Sequence, residues 1–254
     1  MSAGFSPLLL EPAYRRVATE IATRILDRRL AEGEALPTET ALAAQLGVNR
    51  STLREALREL ESDGLVGRRR GTKRLVVTRP QTTAVTERIS RDLALNEVTV
   101  LELWETLTML APPAAETAAR RRSAGDIAAM SAANQTLVQT RGRGAADVQA
   151  VSEFFRAIVA ATGNRSLSLA FSPTLRLLEQ SLKMMIDRVP QARTRIITAQ
   201  RELLAAVEAR DAVRAAEWMR KHIRDFRRGF ELAGIELERR VTWRRRTPPR
   251  AAVK

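Results

Sequence analysis

Residues 37–64, PTETALAAQLGVNRSTLREALRELESDG, contain two apolar helical repeats that are separated by only the three residues GVN. The first repeat predicts a helix over about 38–46, with Thr38 as its N-cap. The second predicts a helix over about 50–63, capped by Asn49. Two helices joined by so short a turn must pack against each other, which is the arrangement of a helix-turn-helix.

The apolar positions of the two repeats supply the contacts that such a pair needs. At helical spacing they can meet across the turn, with Ala41, Leu42 and Leu46 on the first helix and Leu53, Leu57 and Leu60 on the second. A first helix over about 14–30 precedes the pair and carries its own apolar stripe.

The start of the second helix carries side chains that read base edges and hold phosphates. They are Asn49, Arg50, Ser51, Thr52 and Arg54. Arg50 and Arg54 lie one turn apart and therefore project from the same side of the helix. An arginine can donate to O6 and N7 of guanine together, which discriminates by about 1–3 kcal/mol.

The segment LVGRRRGTKRLVV follows the helix pair and predicts two short strands around a basic turn. Its cations are Arg68, Arg69, Arg70, Lys73 and Arg74, and Gly71 lies among them. A basic hairpin beside a recognition helix is the wing of a winged helix, and a glycine there lets the backbone approach DNA closely.

After the linker-like sequence TRPQTTA, only helical periodicity is found. The predicted helices cover residues 85–95, 97–120, 124–139, 145–162, 165–187, 191–209 and 212–236. Two prolines in LAPPAA should kink the second of these helices or start a new one. The predicted fold class is mainly α, with an N-terminal winged helix-turn-helix and an all-helical bundle of six to seven helices.

These elements predict four parts of the chain. A winged helix-turn-helix covers residues 1–79, a linker with the first connecting helix covers 80–90, and an all-helical domain covers 91–237. Residues 238–254 form a basic tail that we expect to be disordered, because RRVTWRRRTPPRAAVK is polar and broken by prolines.

The net charge of +14 is concentrated at the two ends of the chain. Residues 1–80 carry a net +4, residues 81–238 a net +3 and residues 239–254 a net +7. This distribution favours nucleic acid as the partner over a membrane. The basic tail, which includes Trp243, could track phosphates or serve only as a solubilising end.

Several classes of protein are excluded by residues that the chain lacks. It has no cysteine and a single histidine, His222, so disulfides, thiolate metal sites and most histidine-based catalytic triads are excluded. No apolar run is long enough to span a membrane, and the N-terminus lacks the pattern of a secretion signal. We therefore expect a cytoplasmic, nucleoid-associated protein that is not an enzyme and has no cofactor.

The sequence LPTETALAAQLGVNRSTLREALRELESDGLV, followed by RRRG, resembles the N-terminal domain of GntR-type bacterial transcription regulators. The resemblance implies that Asn49, Arg50, Ser51 and Arg54 contact DNA and that Gly71 is the wing glycine. One position departs from the pattern. Where the family often has an arginine, this chain has Thr40, which predicts an altered operator preference.

The remaining helices resemble the FCD effector-binding domain of the FadR subfamily, through FFRAIVAATGN and LLAAVEARDAVRAAEWMRKHI. Many such domains bind a divalent metal through one aspartate and three histidines. Those four positions correspond here to Val151, Phe155, Gln200 and His222. Valine and phenylalanine cannot bind a metal and an amide is a poor ligand for a transition metal, so we expect no metal in this chain.

The arginine with which the family often binds acidic ligands is also replaced, by Leu107. The resemblance therefore implies an effector pocket with a mainly apolar lining, formed by Leu107, Val151, Phe155, Gln200 and His222. Two interpretations stay open. The pocket binds a small apolar or acyl-type effector, with Gln200 and His222 as its polar groups, or it is filled by side chains and senses nothing.

The resemblance implies a homodimeric transcription regulator, most simply a repressor, that binds an inverted repeat in double-stranded DNA. The alternative is an architectural DNA-binding protein of weak specificity with a filled pocket.

Overall fold

The computed structural model describes residues 11–68, 74–140 and 144–243. The chain divides into two compact units, Met1–Ala84 and Val85–Lys254. The division falls within the segment 80–90 that the sequence assigns to a linker and connecting helix. Within the described residues, no helix combines the length and the apolar character that crossing a bilayer requires.

The first unit contains three helices and a hairpin. Its elements are α1 (Ala13–Leu26), α2 (Glu39–Leu46), α3 (Arg50–Ser62), β1 (Val66–Arg68) and β2 (Leu75–Val77). The strands pair antiparallel, with Val66 opposite Val77 and Arg68 opposite Leu75. The order confirms the predicted winged helix-turn-helix, although α1 ends four residues earlier than expected, just before Arg28 adopts a left-handed φ of 61°.

The turn between α2 and α3 shows why the sequence folds in this way. Gly47 adopts a φ of 64°, which ends α2 at a conformation that suits glycine. Thr38 and Asn49 cap the two helices through their side-chain oxygens, as predicted. Leu42, Leu53, Leu57 and Leu60 join one buried cluster, but Ala41 is exposed and Ala43 takes its expected place in the core.

The second unit is entirely helical across its described elements. These are α4 (Thr82–Leu95), α5 (Val100–Arg121), α6 (Ala124–Gln139), α7 (Ala145–Ala161), α8 (Arg165–Arg188), α9 (Ala192–Glu208) and α10 (Ala212–Leu232). Helix α5 packs against α7, α8, α9 and α10, so it lies at the centre of the bundle. The predicted all-helical bundle of six to seven helices is confirmed.

Helix α5 continues through Pro112 and Pro113, although the sequence predicted a kink or a new start there. Each proline removes one backbone donor from the helix. Pro112 is nevertheless buried, and Ala111, Ala114 and Ala115 beside it are at most 2% exposed. Close packing of this alanine-rich segment thus stabilises a single helix despite the lost hydrogen bonds.

The end of the second unit differs from the predicted disordered tail. Among its described residues, 238–243, Val241 is only 8% exposed and its N–H donates to the carbonyl of Val98. The carbonyls of Leu237 and Arg239 accept from the N–H groups of Leu101 and Val100. The chain is ordered here because the first N–H groups of α5 need acceptors, which this segment supplies. Residues 244–254 lie outside the described residues.

A buried carboxylate joins three helices of the second unit. Asp147, at the start of α7, is fully buried, and its Oδ1 accepts from the hydroxyl of Thr140 at the end of α6. Its Oδ2 lies 3.4 Å from Nε of Arg193 on α9. Arg193 also donates to the carbonyls of Leu137 and Val138, so one cation serves both the carboxylate and the end of α6.

Replacing Asp147 should destabilise the unit strongly, because it leaves the Arg193 guanidinium without its buried counter-charge and removes an acceptor of the Thr140 hydroxyl. We expect Asp147→Ala to lower the free energy of unfolding by about 3 kcal/mol in urea denaturation. The control is Asp187→Ala, which removes an exposed pair with Lys183 and should cost less than about 1 kcal/mol. Equal losses in the two variants would contradict this role for Asp147.

Candidate functional site

The start of α3 presents polar side chains on the face opposite the core. Leu53, Ala56, Leu57 and Leu60 are buried, whereas Arg50, Ser51 and Arg54 are exposed. This division follows from helical spacing, since the buried positions recur at intervals of three and four residues. The structure thus leaves Arg50, Ser51 and Arg54, three of the predicted DNA-contacting residues, accessible at one end of α3.

Asn49 and Ser51 fix the geometry of this helix end. Oδ1 of Asn49 accepts from the backbone N–H of Thr52 at 2.8 Å and from the hydroxyl of Ser51 at 2.7 Å. The cap uses only the oxygen of the Asn49 amide, so its NH₂ group is left to donate to a partner. The predicted contact residues Asn49, Ser51 and Thr52 are therefore also the residues that shape the helix start.

Arg54 is held by a neighbouring helix. Its Nε donates to Oε2 of Glu39 on α2 at 2.7 Å, and the two side chains are 61% and 41% exposed. An ion pair so exposed contributes about 0–1 kcal/mol, less than a bidentate contact with guanine. Arg54 can therefore exchange Glu39 for a base. Arg50 has no ion-pair partner in the part of the chain that the structure describes.

Thr38 and Thr40 lie at the start of α2. The hydroxyl of Thr38 accepts from the N–H of Ala41 at 3.3 Å, so this residue acts as a cap. Thr40 is exposed and uncharged, at the position where the resembling regulators often carry an arginine. The surface at the start of α2 consequently carries one cation fewer than it would in a regulator with that arginine.

The base of the predicted wing is formed by β1 and β2. Arg68 ends β1, where its Nε lies 3.5 Å from Oε1 of Glu61, and Arg74 is exposed just before β2. Ala35 forms an antiparallel bridge to Val76, so β2 pairs with β1 along one edge and with Ala35 along the other. The predicted wing contacts Arg69, Arg70, Gly71 and Lys73 lie outside the described residues.

The five predicted pocket residues are all buried in the second unit. Leu107, on α5, Val151 and Phe155, on α7, Gln200, on α9, and His222, on α10, are each at most 2% exposed. Leu107, Val151 and Phe155 line one cavity of about 20 Å³. His222 borders a second cavity of similar size, and Gln200 borders neither, so the residues are buried together without lining one space.

Aromatic rings occupy the space around His222. The imidazole lies nearly parallel to the ring of Phe155, with the centroids 5.5 Å apart and an angle of 11° between the planes. Phe226 lies 4.5 Å from the imidazole on its own helix, and Phe171 lies 6.3 Å from Phe155. A cavity of about 20 Å³ holds about one water molecule, so a larger guest requires side chains to move.

The pocket predicted from the sequence does not include Phe171, Phe226 and Phe230, although their rings belong to the aromatic cluster around Phe155 and His222. The spacing of His222, Phe226 and Phe230 at i, i+4 and i+8 along α10 was a signal that could have placed these three rings on one face. Phe171 comes from α8 and has no such local signal.

Two buried polar atoms in this interior lack partners. Oε1 of Gln200 accepts from Asn134 Nδ2 at 3.2 Å, but Nε2 of Gln200 has no hydrogen-bond partner. Nε2 of His222 is also without one. A direct bond between Gln200 Nε2 and His222, which the sequence suggested, is therefore not formed. Unpaired buried polar atoms are costly, and a ligand or water that bonded to them would relieve the cost.

Burial also sets the protonation state of His222. Desolvation lowers its pKa from 6.5 to about 3, so the imidazole is neutral near pH 7. No described group of three or more His, Cys, Asp or Glu side chains is arranged to hold a metal ion. Buried Val151 and Phe155 cannot supply ligands, so this interior does not fit the metal that the FCD resemblance implies.

Comparisons with known proteins agree with the two units. Residues 13–76 match the family described as bacterial regulatory proteins, gntR family, and residues 102–225 match the FCD domain. An uncharacterized HTH-type transcriptional regulator of Mycobacterium tuberculosis is 35% identical over 175 residues, covering 67% of this chain and 70% of that protein.

Two further relatives are similar over different extents. The mannosyl-D-glycerate transport/metabolism system repressor MngR of Escherichia coli is 48% identical over 50 residues, 20% of this chain and 21% of the repressor. A solved structure of Streptococcus agalactiae GntR covers 85% of this chain and 99% of its own, with a TM-score of 0.57 and 23% identity. The latter likeness extends to the fold alone.

Because His222 is neutral when folded but titrates near 6.5 when unfolded, acid should favour the unfolded chain. This destabilisation by His222 is absent well above pH 6.5 and grows as the pH falls from there towards about 3. Between pH 7 and 5 we expect His222 to cost about 2 kcal/mol of stability. Denaturation of the wild type and of His222→Gln, which cannot titrate, should differ by that amount, and identical pH slopes would contradict it.

Proposed function

The chain belongs to the GntR family of bacterial regulators and carries an FCD domain, and from this membership we propose that it is a repressor that binds an inverted-repeat operator as a homodimer. It would act in the cytoplasm, where bacterial DNA lies. The observation that carries the proposal is the exposed start of α3, where Arg50 and Arg54 project from one face.

In this proposal α3 enters the major groove and its first turns read the bases. Arg54 leaves Glu39 to bind a base edge or a phosphate, and Arg50 makes its contact without breaking an ion pair. The contact with Glu39 also restricts the Arg54 side chain in the free protein, which limits the entropy that DNA binding must remove. Two copies related by a two-fold axis would read two half-sites.

For the second unit we propose a small apolar or acyl-type effector. The lining of the cavity beside Phe155 supports this chemistry, because Leu107, Val151 and Phe155 offer the ligand no charge. Nε2 of Gln200 and Nε2 of His222 would supply the polar contacts, since both are buried and unpaired. The ligand would enter by displacing aromatic side chains, as the present cavities are too small for it.

The alternative function is an architectural DNA-binding protein that senses nothing. The small cavities and the stacked rings of Phe155 and His222 favour this reading of the second unit. The two functions differ in the ratio of specific to non-specific DNA affinity, which is large only for an operator-binding regulator.

Replacing Arg50 should weaken binding to an operator that the protein has selected from random DNA. We expect Arg50→Ala to lower operator affinity by about 5- to 150-fold in fluorescence anisotropy and to relax the preference at one base pair. Arg58→Ala, which removes an exposed cation two turns further along α3, is the matched control and should change affinity little. Equal binding of operator and scrambled DNA by the wild type would instead favour the architectural function.

A thermal-shift screen tests the effector. Acyl-CoAs and other apolar metabolites are compared with carboxylates, Zn²⁺ and Ni²⁺, and one apolar compound should raise the Tm by several degrees at about 100 times its Kd. The same compound should lower operator affinity. A shift with a metal alone would contradict the site described above, and no shift with any compound would support the filled pocket.

A further inference from the structure

The segment Leu237–Trp243, which we name the C-terminal strap, ties together parts of the second unit that are far apart in sequence. It runs antiparallel to the connection between α4 and α5, where Val241 bonds to Val98 and Thr99 forms a bridge with Arg240. Beyond that point, the hydroxyl of Thr242 donates to Gln180 on α8 at 2.9 Å. The strap then reaches α4.

At α4 the strap completes a three-residue contact, which we name the Glu87 clasp. Nε1 of Trp243 donates to Oε2 of Glu87 at 2.9 Å. Nε of Arg176 on α8 donates to Oε1 of the same carboxylate at 2.8 Å. One carboxylate on α4 is thus held by α8 through one oxygen and by the strap through the other.

The clasp is partly buried, with the side chain of Glu87 32% exposed. Arg176 is only 12% exposed and also pairs with Glu179 at 3.3 Å, while Arg156 on α7 lies 3.5 Å from Glu179. Charged hydrogen bonds in a low-dielectric environment are stronger than those on an open surface. By contrast, the ion pair that Arg240 of the strap makes with Glu97 is exposed to solvent.

Helix α4 depends on this polar contact because it buries little apolar surface. Ser90 is its one fully buried residue, and the hydroxyl of Ser90 has no hydrogen-bond partner. Leu93 and Ala94 are only partly buried, and Leu95 is 74% exposed. With so small an apolar contact, polar contacts such as the Glu87 clasp contribute to the attachment of α4.

We propose that Glu87, Arg176 and Trp243 are positioning residues that hold α4 in the state that binds DNA. Helix α4 begins at Thr82 and continues past the division after Ala84, so it links the two units along the chain and its order controls how the first unit is tethered. The inference rests on the proposed function, since one of its readouts is binding to an operator.

The test uses the full chain and three single variants. Glu87→Gln removes the negative charge of the clasp and keeps its shape, and Trp243→Phe removes the indole N–H while keeping an aromatic ring. Glu97→Gln is the control, because it removes the exposed ion pair that Glu97 makes with Arg240 of the strap. Hydrogen–deuterium exchange of the α4 amides and operator affinity by fluorescence anisotropy are measured for each chain.

Both clasp variants should speed exchange in α4 by at least about tenfold and leave α7 and α9 unchanged. Both should also weaken operator binding at least about threefold, whereas Glu97→Gln should match the wild type. The proposal would be overturned if the α4 amides of Trp243→Phe exchanged at the same rate as those of the wild type. It would also be overturned if α4 exchanged faster but operator affinity stayed the same. If Glu87→Gln also loosens α7 and α9, the milder Trp243→Phe decides.

The two proposals fail in distinguishable ways. If the wild type itself does not prefer an operator to scrambled DNA, the proposed function is wrong. If the wild type binds its operator and the clasp variants behave like the Glu97→Gln control, only the role of the clasp is wrong.

Discussion

Phe155 and His222 stack nearly parallel in the interior of the second unit, and the chemistry of that interior depends on their contact. Burial of the imidazole lowers the pKa of His222 to about 3 and keeps it uncharged. Phe155 also stands at a sequence position where the FCD resemblance implies a metal ligand. An interior of this kind favours a neutral, apolar guest or none.

The two units therefore place their polar groups in opposite ways. The first unit exposes cations at the start of α3, where only weak ion pairs such as Arg54 with Glu39 compete with DNA. The core of the second unit encloses a few polar side chains, and Nε2 of Gln200 and Nε2 of His222 are among their atoms that have no hydrogen-bond partner. The first arrangement suits a polyanion on the surface, and the second suits a small molecule inside.

Local signals made much of the fold predictable. Thr38 and Asn49 are caps because a cap needs only residues within one turn, and the helix bounds of the second unit follow from apolar periodicity. Continuity of α5 through Pro112 could not be read from the sequence, since it depends on packing against other helices. The strap was missed for the same reason, because its partners lie at Val98 and Val100.

The candidate sites likewise combine residues that the sequence could identify with contacts that it could not. Arg50 and Arg54 could be identified from one stretch of sequence, but the pairing of Arg54 with Glu39 joins residues 15 positions apart. Glu87 and Trp243 are separated by 156 positions, so no periodicity links them. The stacking of Phe155 on His222 likewise required the packing of α7 and α10 in three dimensions.

A DNase I footprint on an operator selected from random DNA tests the central claim most directly. An operator-binding homodimer predicts discrete protection of two inverted half-sites, with centres about one helical turn or a multiple of it apart. Uniform protection along the DNA, with no inverted repeat within it, would contradict that claim.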